Sequence, residues 1–215
     1  MVQVYALNIA SLPDPEEKPE LLDGLWDERI EKALRQRQSI KRKQSAGASL
    51  LLRWVLRRHG IDCGTLGYGD NGKPYADGIF FSLSHSEDMV VCAVGGSAIG
   101  CDIEKLTAPR EKVAARYFNA AELEYLNSFA LEDRAKAFFR IWTMKESYLK
   151  MTGEGLSAPL DSFCVRIGED ISIIRGGMPC ACRIKEYNIE GYYLSVCSED
   201  EEFSQGLEFI ELCAL

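Results

Sequence analysis

The sequence has little of what marks several broad classes of protein. Its 215 residues include only two histidines, no Cys-x-x-Cys pair, and no apolar run long enough to span a membrane. Basic residues are in the minority, with 25 Lys and Arg against 33 Asp and Glu. The net charge of −8 argues against a general binder of nucleic acid or anionic membranes, but it leaves room for a local basic site.

The composition is that of a globular protein that needs no disulfides. Hydrophobic residues make up 47% of the chain and charged residues 27%, and a chain of this size buries about 70% of its unfolded surface. The eight cysteines are scattered and mostly lie in apolar runs, as small buried side chains in a reducing compartment do. Residues 1–10 lack the basic and long apolar segments of a secretory signal, so we expect a cytoplasmic protein.

The first half of the chain reads as helices followed by strands. Apolar and polar residues alternate over 2–9, which predicts a strand. Apolar residues then recur at helical spacing over 21–38 and over 39–59, and Gly60 ends the second helix. The glycine-rich segment 64–78 predicts an exposed loop with a turn at 70–74. Three strands are predicted next, at 79–83, 89–94 and 98–104. Residues 95–97 (GGS) suit a hairpin between the last two.

The second half repeats this order. Asn119 and Glu122 form a capping box, and a long helix is predicted from 132 to 151, ending at Gly153. Four strands are predicted after it, at 162–167, 171–174, 181–187 and 192–197. The last of these resembles 89–94, which suggests a duplicated fold. We predict an α+β protein with an N-terminal half at 1–105 and a C-terminal half at 106–215.

Two carboxylates share one face of the strand at 98–104. The period of two places Asp102 and Glu104 together and Ile99, Cys101 and Ile103 on the opposite face. Their Cα atoms are expected about 7 Å apart, so that the side chains can converge on a hard divalent cation. Taken alone, a solvated strand end explains the pattern equally well and is commoner.

The long helix carries a second group of charged residues. Thr143, Glu146 and Lys150 lie along one side, while Phe138, Ile141, Trp142, Lys145 and Leu149 lie on or near another. Glu146 and Lys150 are four residues apart, which is the spacing of an ordinary surface ion pair. This helix by itself therefore identifies no function.

A third cluster, residues 81–86 (FSLSHS), surrounds His85 with hydroxyl groups. Hydroxyls, an imidazole and the free N–H groups of a turn suit phosphate oxygens. A hydrolase with Ser84 or Ser86 as nucleophile and His85 as base is the alternative. Side chains adjacent in sequence adopt triad geometry poorly, which disfavours it. The other histidine, His59, ends a helix, where it satisfies carbonyl groups.

Together these segments resemble the 4'-phosphopantetheinyl transferases of the surfactin-synthetase-activating (Sfp-type) group. The resemblance spans about half the chain in the family's order. Its motifs are residues 72–74 (GKP), 81–86 (FSLSHS), 99–105 (IGCDIEK), 116–118 (RYF) and 142–150 (WTMKESYLK), followed by 153–163. Five ordered motifs make coincidence improbable. The resemblance implies two similar halves in a pseudo-twofold intramolecular dimer, with the active site in the cleft between them.

The resemblance also implies an activity. Family members move the phosphopantetheine arm of coenzyme A onto a serine of an acyl or peptidyl carrier protein and release adenosine 3',5'-bisphosphate. It assigns Mg²⁺ to Asp102, Glu104 and Glu146, with Asp102, Glu146 and Lys150 as the catalytic residues. In this assignment Lys150 stabilises charge on the phosphate and Glu146 is the base for the incoming serine.

Coenzyme A binding is assigned in the same way. Lys73 and Pro74 resemble the loop that holds the adenine end, and Ser84 and His85 match positions that contact phosphates. The family's arginine for the 3'-phosphate is missing, since Ala48 and Ser49 occupy the matching positions. Arg42, in the basic run 41–43, is the predicted substitute, although a solvated helix face is the commoner explanation of such a run.

An acidic enzyme needs a local surface to bind acidic carrier proteins. We expect it near Tyr117 and Phe118, with Arg110, Lys112 and Arg116 around them. Two other functions stay open on the sequence: a non-catalytic coenzyme A-binding protein and a Mg-dependent diphosphate hydrolase. Because a pseudo-dimer of two similar halves needs no partner subunit to form the cleft, a monomer is expected.

Overall fold

The computed structural model describes residues 1–61, 64, 66–69, 71–108, 110–155 and 158–215. Cys63, Asp70, Leu156 and Ser157, which the sequence analysis named in a cysteine count or a motif, lie outside these residues. Elements are numbered in chain order. The helices are α1 (Asp27–Leu34), α2 (Ser39–Arg58), α3 (Glu111–Tyr117), α4 (Ala120–Asn127) and α5 (Arg134–Thr152). None of the helices in the described residues is long and apolar enough to cross a membrane.

The strands form two main sheets and two small ones. They are β1 (Gln3–Asn8), β2 (Gly67–Tyr68), β3 (Pro74–Tyr75), β4 (Phe80–Ser86), β5 (Met89–Gly95), β6 (Ile99–Lys105), β7 (Phe163–Ile167), β8 (Ile171–Arg175), β9 (Met178–Pro179), β10 (Arg183–Ile189), β11 (Tyr192–Ser198) and β12 (Glu208–Ile210). The main sheets have the strand orders β12-β1-β5-β4 and β10-β11-β6. Strands β2 and β3 form one small sheet, and β7, β8 and β9 form the other. The fold is therefore α+β, as predicted.

The two main sheets pack face to face between two long helices. Alternation along each strand produces this arrangement, because Tyr5 and Leu7 of β1 pack in the cluster that contains α2, while Val4 and Ala6 face the other way. The cluster between the sheets combines residues of β1 and β5 with Ile99, Cys101 and Ile103 of β6 and with residues of β10 and β11. Helix α5 covers the outer face of the second sheet.

The two sheets share a connectivity. In the first, β1 pairs antiparallel with β5, whose hairpin partner is β4, and α2 lies between β1 and β4 in sequence. In the second, β6 pairs antiparallel with β11, whose hairpin partner is β10, and α5 lies between β6 and β10. Strands β5 and β11, whose sequences resemble each other, thus occupy corresponding positions.

The hairpin predicted at residues 95–97 is wrong. Strand β5 already has β4 on one edge and β1 on the other, so no edge is left for β6, which pairs with β11 instead. The hairpin turn lies one connection earlier, between β4 and β5, where Glu87 adopts a positive φ of 47°. Strand β6 therefore belongs to the second sheet, and β12 returns from the C-terminal half to pair with β1.

The helix ends largely follow the sequence. The capping box of Asn119 and Glu122 is present, and Gly60 and Gly153 adopt positive φ at the ends of α2 and α5, as predicted. The helix predicted over 21–38 is shorter: a 3₁₀ turn (Pro19–Leu22) precedes α1, which ends at Leu34. The prediction was too long because apolar residues spaced as in a helix are also found where a short turn packs against a neighbouring helix, as the turn at Pro19–Leu22 does here.

Candidate active site

A cleft of about 530 Å³ brings most of the predicted site residues together. Its walls come from α1 and α2, from the β3 and β4 region, and from β6 and the end of α5. Seven of the nine predicted site residues line it: Lys73, Pro74, Ser84, His85, Asp102, Glu104 and Lys150. Glu146 and Arg42 are not in the lining. The cleft thus draws on residues from both sides of position 105.

The close approach of α5 to β6 creates one wall. A Cβ atom at Gly100 would clash with the backbone of Ser147 and Met151, so only glycine lets the helix lie this close to the strand. Lys150 then reaches across to β6, and its Nζ donates to Asp102 Oδ1 at 2.7 Å and to Ser84 Oγ at 2.9 Å. In the described part of the chain, the ion-pair partner of Lys150 is Asp102 and not Glu146.

Two buried polar atoms of this cleft have no partner. Asp102 Oδ1 accepts from Lys150 and Ser84, yet Asp102 Oδ2 is buried and has no hydrogen bond among the described residues. The same is true of Ser45 Oγ, one turn after Lys41 on α2. Buried polar atoms are rarely left unpaired, and both of these line the same cleft. The geometry therefore favours a polar ligand that satisfies them.

Three carboxylates interact electrostatically at the acidic wall: Asp102 and Glu104, which line the cleft, and Glu146, which lies outside the lining. Burial, and then the Asp102 carboxylate, raise the pKa of Glu104. The same two causes raise the pKa of Glu146, whose carboxylate has no hydrogen bond or ion pair within the described residues. Burial, the largest single cause, lowers the pKa of Lys150, but Asp102, Cys101 and Glu146 together raise it more, so that this lysine stays charged. A cation between these groups would relieve the repulsion.

As they stand, these side chains do not form a closed metal site. No group of three His, Cys, Asp or Glu side chains in the described residues is close enough to hold a metal ion. Magnesium, however, keeps several waters and is usually bound through one or two carboxylates together with substrate phosphates. The unpaired Asp102 Oδ2 and the raised pKa of Glu104 and Glu146 therefore fit a cation site that a phosphate ligand completes.

The residues 81–86 lie in a strand rather than in the predicted turn. They belong to β4, whose backbone pairs with β5, so in this described segment no turn supplies the N–H groups expected there. The serine hydroxyls instead contact β6. Ser82, Ser84 and Ser86 accept hydrogen bonds from the backbone N–H groups of Cys101, Ile103 and Lys105.

The opposite wall is cationic, although the net charge of the whole chain is −8. Arg29, Lys32 and Lys41 line it, and none has a carboxylate partner among the described residues. Arg29 is only 4% exposed, and its Nε donates to Ser49 Oγ at 2.9 Å. Burial lowers the pKa of Arg29 and of Lys32. Such a group of cations is expected to bind a polyanion.

The sequence analysis missed Arg29 and Lys32. Both lie on α1, a short amphipathic helix whose charged residues resemble any solvated surface, so no local pattern separates them from the other charges. One weak signal in the sequence was the absence of the family's arginine at positions 48–49, which implied that another residue supplies that charge. In the structure Ser49 accepts a hydrogen bond from Arg29, so the guanidinium of Arg29 lies next to that position on α2.

Arg42, the predicted substitute, points elsewhere. Its guanidinium donates to both carboxylate oxygens of Asp14, at 2.6 and 2.8 Å, and forms an ion pair with Glu16 at 2.8 Å. It also donates to two backbone carbonyls before α2. Because these groups occupy it, the structure favours its neighbour Lys41, which lines the cleft, as the cation from this basic run.

Lys73 lines the cleft and also joins its walls. Its Nζ donates to the backbone oxygens of Ile99 at 2.9 Å and Lys150 at 2.5 Å. Asn71 acts in the same region, donating to Gly153 O at 2.8 Å. The loop before β3 is therefore tied to the C-terminal end of α5, with Lys73 and Pro74 held at the rim.

His85 is neutral at pH 7. Desolvation by the cleft walls, with Lys150 and Lys41 nearby, lowers its pKa to about 4. A neutral imidazole is a hydrogen-bond donor or acceptor and not a fixed positive charge.

Two further residues named in the sequence analysis are buried. Lys145 is fully buried and donates to Glu122 Oε1 at 2.7 Å, to Glu122 Oε2 at 2.9 Å and to Phe163 O at 2.8 Å. It is thus an internal charged group between α4, α5 and β7. Phe118, expected on a docking surface, is 4% exposed and stacks on Phe138, so it is not available to a partner.

A cleft with one cationic wall and one acidic wall has the charge distribution expected for binding a polyanionic ligand. The family model for the 4'-phosphopantetheinyl transferase superfamily matches residues 98–197, which hold the acidic wall. A 4'-phosphopantetheinyl transferase of Bacillus subtilis is 35% identical over 171 residues, covering 75% of this chain and 76% of the relative. The transferase Sfp of Bacillus subtilis strain 168 is 29% identical over 218 residues, covering 97% of both chains. The transferase HetI of Nostoc is 38% identical over 128 residues, covering 54% of both. The chain belongs to the 4'-phosphopantetheinyl transferase superfamily.

Proposed function

We propose that this protein transfers the 4'-phosphopantetheine moiety of coenzyme A to a serine hydroxyl of acyl or peptidyl carrier proteins. One observation carries the proposal: the two unpaired buried polar atoms, Ser45 Oγ and Asp102 Oδ2, line one cleft, on its cationic and its acidic wall. A ligand with phosphate groups at both ends of such a cleft would satisfy both. Coenzyme A has a 3'-phosphate at one end of its nucleotide and a diphosphate at the other.

Transfer exchanges one phosphorus–oxygen bond for another. The carrier serine Oγ bonds to the phosphorus that bears the pantetheine arm, and the bond from that phosphorus to the bridging oxygen breaks. The electron pair leaves on the phosphate of adenosine 3',5'-bisphosphate. We assign the serine proton to Glu146, a carboxylate with no hydrogen bond or ion pair in the described residues and with a raised pKa, which suits a general base.

Lys150 and His85 assist at the phosphates. Lys150, held by Asp102 and Ser84, is fixed in place to stabilise the charge that develops on the transferred and leaving groups. The neutral His85 beside it is assigned to a phosphate oxygen as a hydrogen-bond donor. Catalysis of this kind depends mainly on positioning and charge stabilisation.

We assign Mg²⁺ to Asp102, Glu104 and Glu146. When bound, the ion neutralises the diphosphate and polarises its oxygens. The support is the unpaired Asp102 Oδ2, since Asp102 Oδ1 is already held by Lys150 and Ser84. This leaves one oxygen of Asp102 available to a cation.

The cationic wall is assigned to the nucleotide end of coenzyme A. Arg29, Lys32 and Lys41 would receive the 3'-phosphate, with Ser45 Oγ as a further donor. Lys73 and Pro74 lie at the rim, where the adenine end is expected. In this assignment Arg29 and Lys41 take the place that the sequence analysis gave to Arg42.

The docking surface for the carrier protein, the oligomeric state and the compartment are also part of the proposal. A carrier protein must present its serine to the acidic wall, and Arg110, Lys112 and Arg116 around Tyr117 stay the proposed docking residues, without Phe118. A monomer in a reducing cytoplasm is proposed because two matching sheets form one cleft in a single chain and all seven described cysteines are free.

The activity is tested by mass spectrometry of intact apo carrier proteins incubated with this protein, coenzyme A and Mg²⁺. The expected result is a gain of one phosphopantetheine unit that a chelator prevents. Release of phosphopantetheine without modification of the carrier would favour the hydrolase. Binding of coenzyme A without either reaction on carriers of all three kinds, from fatty-acid, polyketide and peptide synthesis, would favour the non-catalytic binder.

A further inference from the structure

Three serines of β4 make the same contact with β6. Ser82, Ser84 and Ser86 are two residues apart, so the strand period places their side chains on one side. Their hydroxyl oxygens accept hydrogen bonds from the N–H groups of Cys101 at 3.0 Å, Ile103 at 3.3 Å and Lys105 at 3.0 Å, respectively. These N–H groups lie on the edge of β6 that does not pair with β11, so the hydroxyls take the place of a neighbouring strand.

The three serines differ in where they direct their own proton. A hydroxyl that accepts one hydrogen bond still has a proton to donate. Ser84 Oγ donates to Asp102 Oδ1 at 2.9 Å, and Ser86 Oγ donates to Glu104 Oε2 at 3.0 Å. Ser82 contacts no carboxylate among the described residues. Two of the three hydroxyls thus link the backbone of β6 to the acidic side chains of the same strand.

Glu104 depends on this contact more than Asp102 does. Asp102 is also held by Lys150 and is 6% exposed. In the described part of the chain, the hydrogen bond from Ser86 is the one polar contact of the Glu104 side chain. Glu104 has one more rotatable bond than Asp102, and a glutamate at the mouth of a cleft loses considerable side-chain freedom when it is fixed.

We propose that Ser86 is a positioning residue that orients Glu104 for the metal–coenzyme A complex, an inference that rests on the proposed function. The bond to Oε2 fixes the carboxylate plane and leaves Oε1 available to a cation. Hydrogen bonds behind a ligating carboxylate commonly set metal affinity, and their loss typically lowers it by about 10- to 100-fold. Ser86 has the same hydroxyl-to-carboxylate contact as Ser84 but lies one residue beyond His85, where the β4 strand ends.

Calorimetry separates this role from a structural one. Coenzyme A is titrated into the full-length protein with and without Mg²⁺, and the ratio of the two affinities measures the effect of the metal without any turnover. We expect Ser86→Ala to keep the affinity found without Mg²⁺ and to lose about tenfold of the gain that Mg²⁺ gives. Ser86→Thr retains the hydroxyl and is expected to behave as the wild type.

Ser82→Ala is the matched control. It removes the same type of hydrogen bond to a β6 N–H group, at a more buried position, but touches no carboxylate. If the serines only hold β6 in place, Ser82→Ala will reduce the gain from Mg²⁺ at least as much as Ser86→Ala, and the positioning role is overturned. An unchanged gain in Ser86→Ala overturns it as well.

Failure of the proposed function gives a different result. A wild-type protein whose affinity for coenzyme A does not depend on Mg²⁺, and which modifies no carrier, would remove the metal complex itself and the role of Ser86 with it. If the wild type transfers phosphopantetheine and Ser86→Ala keeps the full gain in affinity from Mg²⁺, only the positioning role of Ser86 is overturned. In activity assays the same variant is expected to need about tenfold more Mg²⁺ for half-maximal rate.

Discussion

Helix α5 carries two lysine–carboxylate pairs that differ in how completely their atoms are bonded. Lys145 and Glu122 are both fully buried, with side chains 0% exposed, and Lys145 also donates to Phe163 O. Glu122 in turn accepts the N–H groups of Val165 and Asn119. The side chains of Lys150 and Asp102 are 31% and 9% exposed, and one Asp102 oxygen has no partner in the described residues.

The difference separates a structural pair from a functional one. A buried ion pair is tolerated when further hydrogen bonds satisfy both groups, as happens at Lys145 and Glu122. The Lys150–Asp102 pair is not satisfied in this way, because Asp102 Oδ2 has no hydrogen bond among the described residues, and Asp102 lines a cleft with room for a ligand. Lys145, whose charge stabilises the fold, and Lys150, whose charge we assign to the chemical step, thus lie five residues apart on one helix.

The largest expected effect comes from breaking the structural pair. Glu122→Ala leaves Lys145 as an uncompensated buried charge, which typically costs about 3–5 kcal/mol of the free energy of unfolding. Denaturant unfolding followed by circular dichroism measures this. The exposed pair of Lys136 and Asp133 at the start of the same helix is the control, and Lys136→Ala is expected to leave the free energy of unfolding almost unchanged. Equal losses in the two variants would contradict the distinction.

Breaking the functional pair should affect turnover and leave the fold intact. Asp102→Ala and Glu146→Ala are each expected to lower kcat by about 10²- to 10³-fold, because each removes a charge or a base needed in the transition state. Thermal unfolding should change little, since the Lys150 side chain is 31% exposed and can be hydrated when Asp102 is removed, and Glu146 has no hydrogen bond to lose in the described residues. Near-normal turnover in either variant would remove that residue from the site.

The smallest expected effect concerns His85. His85→Ala should weaken coenzyme A binding by about tenfold and change kcat less, since a hydrogen bond to a charged group contributes about 1.5–3 kcal/mol at most. The reverse pattern, a normal KM with a low kcat, would mean that His85 acts in the chemical step.

The pH dependence of binding tests the same residue. The free protein has a His85 pKa of about 4, lowered by desolvation and by Lys150 and Lys41. A polyanion offsets these lysines and so raises the pKa, and a group with a higher pKa in the complex takes up a proton on binding. The affinity for coenzyme A without Mg²⁺ should therefore rise as the pH falls toward about 5, more in the wild type than in His85→Ala. Identical pH profiles would contradict this.

The sequence predicted local features well because their causes are local. The period of two placed Asp102 and Glu104 on one face of β6, and the spacing of Asn119 and Glu122 identified a capping box that the structure contains. It also placed Lys145 on the apolar side of its helix. The partner of Lys145 could not be found, because Glu122 lies 23 residues away and was already explained by its capping role.

Features that depend on distant pairing were missed. The partner of β6 is β11, about ninety residues later, and nothing near residues 95–97 signals that β5 has no free edge. Arg29 and Lys32 reach the cleft only because α1 packs against α2. Arg42 was the predicted anion ligand because its charge is visible in the sequence, while its ion pair with Asp14 forms across 28 residues.

The central claim is that the incompletely bonded acidic wall serves phosphopantetheine transfer. Its most direct test is intact mass spectrometry of an apo carrier protein with coenzyme A and Mg²⁺, comparing the wild type with Asp102→Ala and Lys136→Ala. We predict that the wild type and Lys136→Ala add one phosphopantetheine unit and that Asp102→Ala adds almost none in the same time. Equal modification by Asp102→Ala, or none by the wild type on carriers of any class, would contradict the account.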